Sequence, residues 1–132
     1  MTADELKVCM RYASRASCEK YAAWLTEAMS EFSINTPLQQ AHFLAQLAHE
    51  SGSLNYTSEI ASGAAYEGRM DLGNDEPGDG IAYKGHGLIQ TTGKTNHFRV
   101  ADAFGLAREG IAAWLQTPEG ASRSAGRAPS AD

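Results

Sequence analysis

Thr36-Pro-Leu-Gln-Gln-Ala-His-Phe-Leu-Ala-Gln-Leu-Ala-His-Glu-Ser-Gly52 reads as one helix with both of its ends written into it. Thr36 is an N-cap residue, Pro37 suits the first helical position, and Gln39 can close a capping box by reaching back to the Thr36 amide. The helix is expected to run to Ser51, with Gly52 as the left-handed residue that ends it. Leu38, Ala41, Leu44, Ala45 and Ala48 lie on one apolar face, and His42, Gln46, His49 and Glu50 gather beside it at spacings of three and four. Glu50 falls in the last turn, where the negative end of the helix dipole disfavours its anion and is expected to help raise its pKa. A proton donor needs that property.

Working outward, Thr2-Ala-Asp-Glu5 is a second capping box at the start of an N-terminal helix. Ser17 is expected to cap the next helix, whose Tyr21, Trp24, Leu25, Ala28, Met29 and Phe32 repeat at the spacing of a buried face. Beyond Gly52 the pattern breaks down. Gly63, Gly68, Gly73, Gly78 and Gly80, with Pro77 and several Asp and Asn, describe a long irregular region, and such loops in compact domains are commonly functional. Ile81–Lys84 and Leu88–Thr91 read as short strands around Gly85-His-Gly87. A helix follows from Gly93 to Phe104, burying Phe98, Ala101 and Phe104, and Thr117-Pro118 opens a last short helix. Residues 1–126 thus read as one domain and 127–132 as an unstructured tail.

The 132 residues suffice for one such domain, and 42% hydrophobic content supports a packed core. A net charge of −5 speaks against a nucleic-acid partner, which needs a basic face to displace counterions from phosphates. No window approaches the length of a membrane span. The N-terminus carries acids where a secretory signal carries bases, so the expected location is the cytoplasm. Cys9 and Cys18 have no histidine at ligand spacing and read as two reduced, partly buried thiols.

Four familiar motifs fail on spacing. Gly87 to Lys94 has five residues before Gly-Lys where a phosphate loop has four. Gly85-x-Gly87 meets Gln90 where a dinucleotide fingerprint needs its third glycine. The acidic stretch 71–80 lacks the closing Glu of a calcium loop. His49-Glu50 lacks the second histidine of a zinc protease helix. None of the four therefore marks a nucleotide or metal site. What remains is a carboxylate pair. Glycoside hydrolysis needs a protonated acid at the leaving oxygen and a second carboxylate that attacks or activates water. Glu50 ends a helix, and Glu59 follows a turn through Gly52 and Asn55 that can fold back toward it. Glu67 is a third candidate, with Arg69 nearby as an expected ion-pair partner.

His49-Glu-Ser-Gly52, Glu59, Tyr66-Glu-Gly-Arg69, Asp71-Leu-Gly-Asn74, Pro77-Gly-Asp-Gly80 and Gly85-His-Gly-Leu-Ile-Gln-Thr-Thr-Gly-Lys-Thr-Asn96, in that order, resemble the family 19 glycoside hydrolases. The likeness covers roughly residues 35–125. It points to the lysozyme-like endolysins of phages and prophages, with chitinases as relatives. The resemblance implies a mainly α (α+β), lysozyme-like fold: a helical bundle with a small β element and long irregular loops lining a cleft. It implies Glu50 as general acid, Glu59 as general base, Thr92 as the residue positioning the water, and Gln90 and Asn96 as sugar-binding positions. His49, Tyr66 and Glu67 are further substrate-binding candidates. The implied reaction is inverting hydrolysis of β-1,4 bonds in peptidoglycan first and chitin second, with carboxylates roughly 6.5–9.5 Å apart. Glu50 is expected to be buried and Glu59 wetter. The resemblance implies no metal or cofactor. An endolysin waits in the cytoplasm until it is released to the cell wall.

Two features depart from the family pattern. His86 stands where the family usually has Arg between the glycines. The stretch after Ala125 does not continue into the family's further helices, so the chain reads as a C-terminally truncated copy. Exposed apolar surface and self-association are then expected, as is the alternative of an inactive glycan-binding remnant.

Overall fold

The computed structural model describes residues 1–128. Seven helices follow in order: α1 Ala3–Cys9, α2 Arg15–Glu31, α3 Pro37–Glu50, α4 Asp79–Ala82, α5 Lys94–Ala103, α6 Ile111–Leu115 and α7 Pro118–Arg127, with short 3-10 turns at Ala64–Tyr66, Met70–Leu72 and Arg108–Gly110. Both capping boxes form, at Thr2/Glu5 and at Thr36/Gln39. The cap of α2 is Ser14 and not Ser17: the Ser14 hydroxyl accepts from the Ser17 amide at 3.0 Å. The correction is one of register, because Ser17 is the third helical residue, whose orphan amide a cap serves. Met1 to Ala128 is thus helical at most of its length, and α7 ends one residue inside the stretch read as a tail. Residues 129–132 lie outside the described part.

Leu6, Met10, Cys18, Tyr21, Leu25, Leu44, Leu47, Leu54, Leu88, Ala121 and Ala125 form the main core, and Ala101, Ile111 and Leu115 a smaller one. The central packing is α2 against α7. It works because α7 is built of small residues: Gly120, Ala121, Ser122, Ser124, Ala125 and Gly126 are all buried. A β-carbon at Gly120 would overlap the Trp114 carbonyl, far inside van der Waals contact, so α6 and α7 meet backbone to backbone. No cap or period in residues 111–115 marks the α6 helix in advance.

Helix α3 buries a different face from the one its alanines suggested. Leu44 and Leu47 point into the core, while Leu38 is 69% exposed and Ala41 and Ala45 face outward. The reason is angular: at 3.6 residues per turn, Gln40, Leu44, Leu47 and Ser51 share one line, and Leu38 and Ala45 lie on the other side with His42 and His49.

The two expected strands are also corrected. Ile81 and Ala82 belong to α4, and residues 87–90 form a turn; the β element reduces to isolated antiparallel bridges, Ser58 with His86 and His86 with Thr91. Helix geometry wins at 79–82 because its start is well supplied with acceptors. The Asp79 carboxylate takes the Glu76 amide at 3.0 Å, and the Glu67 carboxylate takes the Gly78 and Gly80 amides at 2.9 Å each. Within α5, His97 and Ala101 are buried, and Phe98 and Phe104 only partly so.

Candidate active site

Glu50 is the last residue of α3. Its side chain is exposed and, among the described residues, takes part in no hydrogen bond or ion pair. Ser51 and Gly52 turn the chain there, Gly52 at φ +57°, with Ser51 Oγ donating to the Leu47 carbonyl at 2.6 Å and accepting from the Leu54 amide at 2.9 Å. Leu54 is thereby buried, which anchors the connection leading to Glu59. On the outer side of α3, a groove of about 1110 Å³ is lined by Leu38, His42, Gln46, His49 and Glu50, with Ile89 and the end of α7 opposite. The four polar residues expected to cluster on this helix do share that wall.

Glu59 is half-buried and held at three points. Its amide donates to the Gly85 carbonyl at 2.8 Å, its Oε1 accepts from the Gly85 amide at 2.9 Å, and its Oε2 accepts from the Tyr66 hydroxyl at 2.9 Å. The bond to Glu59 also pushes the Tyr66 phenol above its ordinary value, so it stays protonated and remains a donor well into the alkaline range. The expected order of burial is reversed: Glu50 is the wetter carboxylate, because a helix end at the rim of a groove has no second layer above it, whereas Glu59 is enclosed by the Gly85 loop.

The glycine at 85 is a requirement of the site. A β-carbon there would stand 2.7 Å from Gln90 Oε1 and 3.2 Å from Glu59 Oε1. The Gln90 amide and the Glu59 carboxylate thus flank one α-carbon. Gln90 adopts a left-handed φ of +54°, and its Nε2 donates to the Gly87 carbonyl at 2.8 Å. That is a strained conformation for a side-chain-bearing residue, and such strain persists where the surroundings over-determine it. From Gln90 a chain of contacts leads outward. Thr92 Oγ1 donates to the Gln90 carbonyl at 2.9 Å, and Asn96 Nδ2 donates to the Thr92 carbonyl at 2.9 Å. Glu59, Tyr66, Gln90, Thr92 and Asn96 therefore form one connected group, with His49 and Glu50 on the wall of the groove.

Glu67 is not part of that group. Its carboxylate clamps the Gly78 and Gly80 amides, and the expected ion pair with Arg69 is replaced by Arg69 with Asp71, at 2.8 and 2.6 Å. Two residues of separation suit that bidentate pairing, while Glu67 has two backbone donors of its own. Asn74 does comparable work and was missed as a structural residue: buried, it donates to the Tyr66 carbonyl and accepts from the Lys94 amide, joining the Tyr66 turn to the start of α5. Lys94 is held by Asp75 and Asp79 at 3.0 and 3.2 Å, which raises its pKa further. Among the described residues no group of three or more His, Cys, Asp or Glu is arranged to hold a metal ion, and no helix is long and apolar enough to cross a membrane.

The helical architecture is shared with a solved structure. Chitinase C from Streptomyces griseus HUT6037 superposes with a TM-score of 0.70 at 23% identity, over 94% of this chain and 52% of that one. No family model matches the chain. A protein of Haemophilus influenzae (strain ATCC 51907 / DSM 11121 / KW20 / Rd) named as a glycosyl hydrolase family 19 domain-containing protein is 34% identical over 91 residues, which cover 46% of the relative. The chain is thus similar in sequence to part of a protein named for the glycosyl hydrolase family 19 domain, and it spans about half the length of the relatives it matches.

Proposed function

We propose that this chain is an endolysin-type glycoside hydrolase that cleaves β-1,4 bonds of peptidoglycan by inversion, in the service of cell-wall degradation and host lysis. The observation that carries this reading is the fixed Glu59 carboxylate, gripped by Tyr66 and Gly85 beside Gln90, with an unpaired Glu50 at the end of α3. In this reading Glu50 protonates the leaving glycosidic oxygen. Glu59 removes a proton from water, and the activated water attacks the anomeric carbon from the opposite face. The grip on Glu59 keeps its lone pair aimed, so little reorganisation is needed as the water loses its proton. In this reading Thr92 and Gln90 hold water and sugar hydroxyls next to Glu59, and Asn96 extends that polar edge. The enzyme acts on the wall once released from the cytoplasm.

Chitin is the second substrate to consider, because the superposed structure bears the name of a chitinase. The deciding experiment measures reducing ends released from purified peptidoglycan and from chitin oligomers, with Glu50→Gln and Glu59→Gln as controls. The proposal expects release from peptidoglycan by the wild type and a loss of at least 100-fold in either variant. Equal release by all three proteins would defeat it. Release from chitin oligomers alone would transfer the assignment to the second substrate. Saccharide binding without release would favour a non-catalytic glycan binder.

A further inference from the structure

Behind Glu59 lie two imidazoles that acid–base chemistry leaves unused. His86 and His97 are both buried, with His86 Nδ1 2.9 Å from His97 Nε2 and the rings edge to face at 5.1 Å. His97 Nδ1 lies 2.8 Å from the Gly93 carbonyl oxygen. A carbonyl only accepts, so Nδ1 of His97 carries its proton. In a neutral ring Nε2 is then an acceptor, and His86 must donate from Nδ1. One backbone carbonyl therefore fixes the tautomers of both rings.

The backbone of His86 is equally committed. It exchanges two bonds with Thr91, at 3.0 and 2.8 Å, and bridges to Ser58, while the next amide, Gly87, donates to the Thr57 carbonyl at 2.8 Å. Glu59 follows Ser58 directly. Gln90 and Thr92 flank Thr91. The His86 ring thus ties this three-segment seam to α5 through His97 from the buried side, while Asn96 ties it through the Thr92 carbonyl at the exposed edge.

We propose that His86 is a positioning residue for this site: its bond to His97 holds Glu59, Gln90 and Thr92 in register against the start of α5. The catalytic meaning of this inference rests on the acid–base reading above. The charged and titratable groups around the pair are Glu59, which favours a proton on His86, Lys84, which opposes it, and Tyr83, whose ring meets His97 at 5.2 Å. Burial outweighs these and pushes both imidazoles below their ordinary value, so the pair is neutral at pH 7 and the bond is made. A proton added at His97 Nε2 would set donor against donor and break it.

The test begins with uniformly 15N-labelled wild-type protein at pH 7. A scalar coupling across the hydrogen bond between His86 Nδ1 and His97 Nε2 is expected. Its absence, with His86 in the other tautomer, overturns the proposal whether or not any glycan is cut. His97→Gln keeps one acceptor and one donor and is expected to hold kcat within about threefold. His97→Leu removes the acceptor and is expected to lower kcat about 10- to 100-fold at similar KM, and to speed amide exchange at Gly87 and Thr91 more than in α2. Wild-type kcat and exchange in the Leu variant refute the proposal, as does loss in both variants that merely tracks Tm. Should the Leu variant fail to fold, a folded Gln variant with kcat down tenfold or more refutes it, and one that retains kcat sustains it. If the wild type releases no reducing ends, the hydrolase reading fails on that ground, and the coupling and exchange results still judge the positioning role.

Discussion

Acid should destabilise this protein before its carboxylates titrate, and His97 sets the size of the effect. Burial holds its pKa at about 4 against an ordinary 6.5. As pH falls through 6.5 the unfolded chain takes up this proton and the folded chain does not, so folding loses ground until the folded value is reached. The contribution is complete above 6.5 and is lost progressively between 6.5 and 4. The loss is about 2 kcal/mol by pH 5 and about 3 kcal/mol by pH 4. His86 is shifted in the same direction and adds to it. Against a typical total of roughly 5–15 kcal/mol this is large. The carboxylates of Glu31, Asp71, Asp75 and Asp102, lowered by Arg123, Arg69, Lys94 and Arg108, lose their contributions only as pH drops through and below the ordinary carboxylate range. The window from 6.5 to 5 is therefore left to the histidines. Urea unfolding at pH 8, 6, 5.5 and 5 should show the loss in the wild type and a clearly shallower slope in His97→Gln. Parallel slopes in the two proteins would refute the assignment of the effect to this buried ring.

Gly85→Ala should drive Gln90 and Glu59 apart. Overpacking of this kind costs about 1–3 kcal/mol, and we expect a fall in kcat of at least tenfold, read by reducing-end release together with a denaturant midpoint. Tyr66→Phe removes the 2.9 Å donor from Glu59 Oε2; stability should change by no more than about 1.5 kcal/mol while kcat falls several-fold, so a kcat equal to wild type would show the grip to be dispensable. Glu67→Ala frees the Gly78 and Gly80 amides and should cost about 1–2 kcal/mol, with faster hydrogen exchange at both glycines as the direct readout.

Local signals carried most of the helices. Thr2, Thr36 and Thr117 each bond the amide three residues on, as the cap patterns require, because a cap depends only on its own turn. What failed was long-range. Nothing local says that Glu67 will reach across eleven residues to Gly78, and without that clamp Ile81-Ala82 reads as extended. Helix α6 is five residues long and amounts to Ile-Ala-Ala-Trp-Leu between glycine and glutamine, too short to show a period. The outward turn of Leu38 and Ala45 depends on which side of α3 meets Leu54 and α1, which no period can report. At the site, the ordered motifs pointed to Glu50, Glu59, Gln90, Thr92 and Asn96 together. They did not reveal that Gly85 is pressed between two of these side chains, nor that His86, conspicuous as a departure from Arg, is paired with His97. Gly85-His-Gly87 and an α5 histidine four residues from Gly93 were the only available hints, and each is ambiguous without the fold.

The most direct test of the account is the anomeric form of the first product. With a soluble glycan substrate that the protein cleaves, 1H NMR in the first minutes should show the α-anomer leading and the β-anomer appearing only by mutarotation, as attack by a Glu59-activated water requires. An initial β product would mean a covalent or substrate-assisted route. It would contradict the role assigned here to Glu59.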